Sequence, residues 1–305
     1  MERKVVVIVG PTFSGKTETG ILVAEKIGGE IISADSRQVY KHLTIGTAKP
    51  AIEELNKVKH YFIDELEPDQ EFNASKFELG ALAKIEEIFL KGKIPIVAGG
   101  SGLYVKALID GIMNTVETDL DYREKLYSER EKFGDEYLYN ELMKVDPKSA
   151  QNMLPQNWKR VVRCLEVFHL TGKPIWEWQE NFKRDVDLEF LQFGLDWPRE
   201  ILYKNIDGRV DKMLDAGLID EVKNVLSMGF SKELYSLNTV GYKEIISFLN
   251  GELTLEHAIE LIKRNTRRYA KKQLTWFRKD KRIQWIGINS KNDFQSAAER
   301  ILAHF

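Results

Sequence analysis

Gly10-Pro11-Thr12-Phe13-Ser14-Gly15-Lys16-Thr17 carries the spacing G-x-x-x-x-G-K-[ST], the signature of a loop that holds phosphate. Its flanks agree with it. Val5 to Val9 is a β-branched run of the kind that forms a buried parallel strand. Thr19 to Ile27 has helical character, with Ile21, Leu22, Ala24 and Ile27 as apolar members and Gly28-Gly29 as its stop. Gly10 and Gly15 let the backbone curl so that N–H groups converge on an anion, and the helix adds the positive end of its dipole. Lys16 supplies a mobile charge for phosphate oxygens. Thr17 supplies a hydroxyl where Mg²⁺ would sit beside a polyphosphate. The motif specifies a polyphosphate, as in nucleotide- and ATP-binding loops, without saying which one or what becomes of it.

A length of 305 residues suits one large or two modest domains, and 43% hydrophobic with 30% charged residues describes an ordinary globular chain. A formal charge of −2 gives no global pull toward nucleic acid, so any such pull must be local. The single cysteine, Cys164, excludes an internal disulfide and a cysteine zinc site, and points to a reducing, cytoplasmic setting. The apolar run after Met1-Glu2-Arg3-Lys4 ends at Gly10-Pro11, shorter than a signal sequence with a cleavage site. No run approaches membrane-spanning length, so a cytoplasmic protein without membrane contact is expected.

Further along, Glu30 to Ser33 reads as a strand that runs into Asp35-Ser36-Arg37-Gln38-Val39-Tyr40, a polar cluster where open parallel sheets place ligands. Asp35 can be a helix cap or turn residue; beside a phosphate loop it can also be a base or a magnesium partner. Gln38 offers a donor and an acceptor, which suits a purine edge. In the loop Gly46-Thr47-Ala48-Lys49-Pro50, Lys49 faces either anions or solvent. His60 to Asp64 reads as a strand, Asn73 caps a helix to about Leu90, and Ile94 to Ala98 is another strand. It empties into Gly99-Gly100-Ser101-Gly102, which serves either close approach to a ligand or tight strand–helix packing.

From 115 to 189 the pattern is nearly all helical, including Asp121 to Phe133, Tyr137 to Val145 and Trp158 to Leu170. On the last of these, Val161, Val162, Leu165 and Phe168 suit a core face, and Lys159, Arg160 and Arg163 share another. Strand character returns at Leu191 to Trp197. The expected fold is therefore α/β: a P-loop NTPase-like parallel sheet core, 1–114 plus 190–305, with an inserted all-helical domain, 115–189. On the helix after Pro198, Arg209 either grips pyrophosphate or sits in a surface ion pair. The last third reads as helical. Lys263 to Arg282 is densely basic, with Arg264, Arg267, Arg268 and Lys271 on one face and Tyr269, Ala270 and Phe277 on a packing side. Such a patch suits RNA.

These blocks together resemble the tRNA dimethylallyltransferase (tRNA isopentenyltransferase) family. The matching pieces are the phosphate loop, Asp35 to Tyr40, Gly46 to Pro50, Gly99 to Tyr104, Arg160 to Arg163, Thr171 to Pro174, Gly241 to Glu244 and Arg268 to Phe277. The resemblance implies transfer of a dimethylallyl group from dimethylallyl pyrophosphate to the exocyclic amine of the adenosine just 3′ of the anticodon in tRNA. It implies Asp35 as general base, Ser101 near the reacting centre, and Ser36, Arg37 and Gln38 on the adenine side. It implies pyrophosphate on residues 10–17 and Arg209, Mg²⁺ at Thr17, and tRNA on Arg123, Lys159, Arg160, Val161, Val162 and Arg163. A monomer is expected. Three positions depart from the family pattern: Phe13 for alanine, Ser101 for threonine, and Leu154 to Trp158 for a His-Pro-Asn-Asp block. The residues alone leave open a nucleoside or other small-molecule kinase, an enzyme that prenylates free AMP, and a GTPase switch or passive RNA-binding module. Against the GTPase, Asn56-Lys57-Val58-Lys59 lacks the aspartate that guanine readers use.

Overall fold

β1 (Lys4–Val9) lies inside a six-stranded sheet, and Val5 to Val9 have no exposed surface, as a parallel strand covered on both faces requires. The computed structural model describes residues 3–112, 116–181 and 186–305. The chain continues as α1 (Lys16–Ile27), β2 (Glu30–Ser33), α2 (Ile52–Lys57), β3 (His60–Tyr61), α3 (Ala74–Leu90), β4 (Pro95–Gly99) and α4 (Gly102–Asp110). Five helices follow: α5 (Leu120–Phe133), α6 (Asp135–Val145), α7 (Pro147–Gln151), α8 (Trp158–Thr171) and α9 (Ile175–Asn181). Then come β5 (Glu189–Asp196), α10 (Arg199–Asp215), α11 (Leu218–Ser227), α12 (Tyr242–Leu249), α13 (Leu255–Phe277), β6 (Gln284–Gly287) and α14 (Asp293–Leu302).

The strands pair in the order β3-β2-β4-β1-β5-β6, all parallel. Val9 stands beside Gly99 and Gly194, and Ser33 beside Ala98. The register therefore brings the loops after β1, β2 and β4 to one edge, the carboxyl edge where such sheets bind ligands. Asn73 caps α3 as expected, its side chain accepting from the Ser75 and Lys76 backbone N–H groups. β6 and α14 interrupt what the sequence presents as a wholly helical last third. β6 has only four residues and one of them, Ile286, is buried, so this edge strand leaves no apolar run to read. α2 and α9 are likewise too short to carry a helical period.

The chain divides into two compact units, Met1–Ile109 with Val186–Phe305, and Asp110–Asp185. The first contains the sheet. The second has a core of its own built from Leu126, Leu138, Leu142, Val161, Val162 and Leu165. The sequence boundary expected at 114/115 lies outside the described residues. No described helix is long and apolar enough to cross a membrane.

Glu166 in α8 is fully buried, and charge organises the second unit around it. Arg123 of α5 grips its carboxylate with two bonds, from Nε at 2.7 Å and Nη2 at 2.9 Å. Arg163 donates to it at 2.5 Å, and the Asp119 N–H at 2.9 Å. A buried carboxylate held this way is costly to break, because removal strands its partners. Glu166→Gln is expected to destabilise this unit by about 3 kcal/mol, the low end for a broken buried pair since both arginines keep some solvent. Urea unfolding followed by circular dichroism would measure the loss; an unchanged midpoint would mean the cluster is ornamental to stability.

Candidate active site

Between β1 and α1 the chain wraps as its glycines allow. Gly15 takes φ 90° at the head of α1, and a Cβ there would stand 2.1 Å from the Phe294 ring of α14. The Trp197 indole N–H, just past β5, donates to the Ser14 carbonyl at 2.9 Å and fixes the outside of the loop. Lys16 Nζ donates to the Pro11 carbonyl at 2.6 Å. Desolvation pushes the Lys16 ammonium down to about 8, against the opposing pull of Asp35 and Glu18 and with a further push from Arg209. Arg209 of α10 lies with its guanidinium carbon 5.0 Å from the centre of the Phe13 ring. Two cations thus converge at the loop, and Arg209 has no acidic partner among the described residues. Phe13, where the resemblance leads one to expect alanine, gives Arg209 its platform at φ 64°.

The turn after β2 is clamped from two sides. Asp35 Oδ1 accepts from the Arg37 N–H at 2.8 Å and from the Gln38 N–H at 3.4 Å. Ser101 Oγ accepts from the Ser36 N–H at 3.0 Å, while the Ser101 N–H donates to the Ala34 carbonyl at 3.1 Å. Gly99 is obligatory here, since a Cβ on it would lie 2.1 Å from the Ala34 oxygen. Ser101 therefore holds the Asp35 turn rather than lining the cavity. Gln38 is also spent on the protein: Ser33 donates to its Oε1 at 3.0 Å, and its Nε2 donates to the Thr47 and Ala48 carbonyls at 3.3 and 3.1 Å. Its expected contact with a purine edge has no free amide hydrogen to use in this arrangement. Arg37 stacks on Tyr235, 4.1 Å to the ring centre, and its Nη1 is buried with no hydrogen-bond partner.

Two chambers meet at Asp35. One, of about 680 Å³, is lined by Lys16, Thr17, Lys204, Arg209, Lys212 and Lys291. The other, of about 330 Å³, is lined by Ser36, Arg37, Tyr235, Asn238, Lys243 and Tyr269. Thr12, Phe13, Asp35 and Tyr269 face both. Desolvation and the Asp35 charge push the Tyr269 phenol up, which keeps it a neutral hydroxyl at ordinary pH. The geometry offers anion binding on one side of a carboxylate and aromatic and guanidinium surfaces on the other.

A family model described as IPP transferase matches residues 38–280. The tRNA dimethylallyltransferase of Pelotomaculum thermopropionicum is 47% identical over 305 residues, spanning 98% of this chain and 96% of its own. The chain belongs to the IPP transferase family. Among solved structures, the full-length tRNA isopentenylpyrophosphate transferase of Bacillus halodurans matches with TM-score 0.73 at 39% identity, over 99% of this chain and 96% of that one. A eukaryotic dimethylallyltransferase acting on tRNA matches with TM-score 0.81 at 30% identity, over 98% of this chain and 77% of that one. The P-loop NTPase-like α/β fold read from the sequence is the fold of this IPP transferase chain.

Several residues that shape this IPP transferase site gave no signal in the sequence. Glu221 of α11 accepts from the Thr44, Ile45 and Gly46 N–H groups at 2.9, 2.7 and 3.0 Å, and from the Tyr242 hydroxyl at 2.5 Å. It pins the 44–50 loop as a cavity wall. Lys49 borders the cationic chamber, but its ammonium is buried and committed to the protein, donating to the Tyr40 carbonyl at 2.6 Å and pairing with Asp64. Such partners lie many residues apart, so only the fold reveals them.

The residues expected on RNA divide. Val161 and Val162 are 0% and 2% exposed in the core of the helical unit, so their side chains cannot meet RNA; apolar period put them there. Arg123 and Arg163 are committed to Glu166, and Arg163 also donates to the Val116 carbonyl at 2.8 Å. Lys159 and Arg160 are exposed on the same helix. On α13, Lys263 pairs with Asp211 at 2.5 Å and Arg267 pairs with Asp207, which removes Arg267 from the expected free face. Arg264, Arg268, Lys271 and Lys272 are exposed, together with Tyr269 and Trp276. Tyr269 was expected on the packing side; instead it faces the chambers.

Proposed function

We propose that this IPP transferase moves a dimethylallyl group from dimethylallyl pyrophosphate to the exocyclic amine of the adenosine 3′ to the anticodon of a tRNA, releasing pyrophosphate. The observation that carries the reading is the position of Asp35, on the wall shared by a cationic chamber and an aromatic one. The bond between the allylic carbon and the pyrophosphate oxygen breaks, and a bond from that carbon to the adenine nitrogen forms. Loop N–H groups, Lys16 and Arg209 take up the charge that gathers on the departing pyrophosphate. The amine is a weak nucleophile until it loses its proton, and Asp35 accepts that proton. An adenine can reach Asp35 only out of its stack, and Tyr235, Tyr269 and Arg37 offer it surfaces, with Arg37 Nη1 still lacking an acceptor.

Thr17 lines the cationic chamber with Glu18 and Asp35, a hard-oxygen donor set that suits Mg²⁺. No cluster of three His, Cys, Asp or Glu side chains able to hold a metal occurs among the described residues, so the ion would arrive with its pyrophosphate, its charge helping to neutralise the phosphate oxygens. Lys159 and Arg160 with the exposed cations of α13 are the residues proposed to hold tRNA, in a monomeric cytoplasmic enzyme.

Mass analysis of tRNA incubated with dimethylallyl pyrophosphate and Mg²⁺ is expected to show one added C5H8 on the adenosine 3′ to the anticodon. A kinase would instead consume ATP and leave tRNA unchanged, and an AMP prenyltransferase would modify free AMP. Either result overturns the proposal.

A further inference from the structure

We infer that Gln273 is a positioning residue that sets the leaving-group cradle against the base, and that it does so from the basic helix α13. The inference rests on the prenyl-transfer reading above. Gln273 lies 6% exposed on a helix whose outer face carries Arg268, Lys271, Lys272 and Trp276. Its side-chain amide is divided between two glycine-rich loops. Oε1 accepts from the Thr12 N–H at 2.8 Å, and Nε2 donates to the Gly100 carbonyl at 2.8 Å. A Cβ at Gly100 would lie 2.3 Å from that Nε2, so the second loop is glycine-bearing where the amide arrives.

The bonds continue past Gly100. Ser101, the next residue, accepts from the Ser36 N–H and so holds the turn whose carboxylate is Asp35. One buried amide therefore joins the loop that cradles pyrophosphate to the turn that presents the base, across three separate segments of chain. Both ends of the amide matter. The acceptor fixes Thr12, which faces both chambers, and the donor fixes the loop that bears Ser101. An active site loses about 10²-fold in rate for a misplacement of the order of an ångström. Gln273 borders the cationic chamber, but its amide is committed to the two loops, so it can govern kcat by holding the residues that meet the reactants.

Two variants separate positioning from mere support. Gln273→Met keeps the volume and deletes both bonds. Gln273→Glu keeps an acceptor for the Thr12 N–H but turns a second acceptor oxygen toward the Gly100 carbonyl. Both should lower kcat by ~10- to 100-fold, with tRNA affinity and thermal midpoint close to wild type. Hydrogen exchange should quicken in both loops, 10–17 and 99–102, in Gln273→Met. In Gln273→Glu it should quicken mainly in 99–102. The exchange result does not depend on prenylation, so it separates this inference from the assigned reaction. Should wild-type enzyme fail to prenylate tRNA, the reading of function falls, while the exchange pattern still judges the tether. The inference is overturned if kcat stays within twofold of wild type, if neither loop exchanges faster, or if both variants lose folding or tRNA binding in step with activity.

Discussion

Asp35→Asn enzyme should bind tRNA as wild type does and turn over ~10²–10⁴-fold more slowly, the range for loss of a positioned general base. The substitution is gentle on the fold. The asparagine oxygen can still accept from the Arg37 N–H at 2.8 Å, and Ser101 still grips Ser36, so the turn keeps its shape. What goes is the oxygen proposed to take a proton from the adenine amine. The carboxylate also opposes the desolvation of Lys16, so its loss should lower the Lys16 ammonium further below about 8. Single-turnover rates with saturating tRNA would measure the first effect. A rate within tenfold of wild type would remove Asp35 as base. The basic limb of the kcat/KM profile for the pyrophosphate substrate, moving to lower pH, would report the second effect.

That an aspartate sits here was legible, and how it is held was not. Gly10 to Thr17 and Asp35 to Tyr40 announce themselves because each lies in one unbroken stretch whose chemistry follows from local spacing. The strands β1 and β4 were equally plain, because burial on both faces makes them apolar runs, and β2 and β5 were readable from Ile31-Ile32 and from Phe190, Leu191, Phe193 and Leu195. β6 has three of four residues at least partly open to solvent and therefore no such run. The side chains that brace the site, Glu221 and Gln273, are polar and sit on amphipathic helices, where a polar residue ordinarily faces water. Each instead meets backbone that the sheet brings from far away in sequence. Glu166 misleads in the same way. Next to Arg163 on a helix it reads as one more surface charge, yet it is the buried centre to which Arg123 and Arg163 are tied. Two arginines read as RNA ligands thus carry an architectural duty first.

Lys16→Met should cost ~10²–10³-fold in kcat/KM for dimethylallyl pyrophosphate, the scale for removing one donor that stabilises developing anionic charge. The cavity gives the reason. Lys16 and Arg209 face each other's charge, and the approach of two cations is unfavourable until an anion arrives to be shared. In the proposed reaction the departing pyrophosphate gathers charge as the allylic bond breaks, so the attraction would grow along the reaction, as a catalytic contact must. The pH dependence follows with a definite sign. Free enzyme holds the Lys16 proton below about 8 and loses it above; bound pyrophosphate favours the ammonium. Affinity should therefore fall as pH rises through 8, and binding at pH 8 to 9 should take up a proton, visible by calorimetry in buffers of different ionisation heat. Lys16→Arg, charged throughout this range, should lose that uptake even where it keeps part of the activity. Proton uptake that persists in Lys16→Met would place the titrating group elsewhere and leave the cradle without its charge-switching lysine.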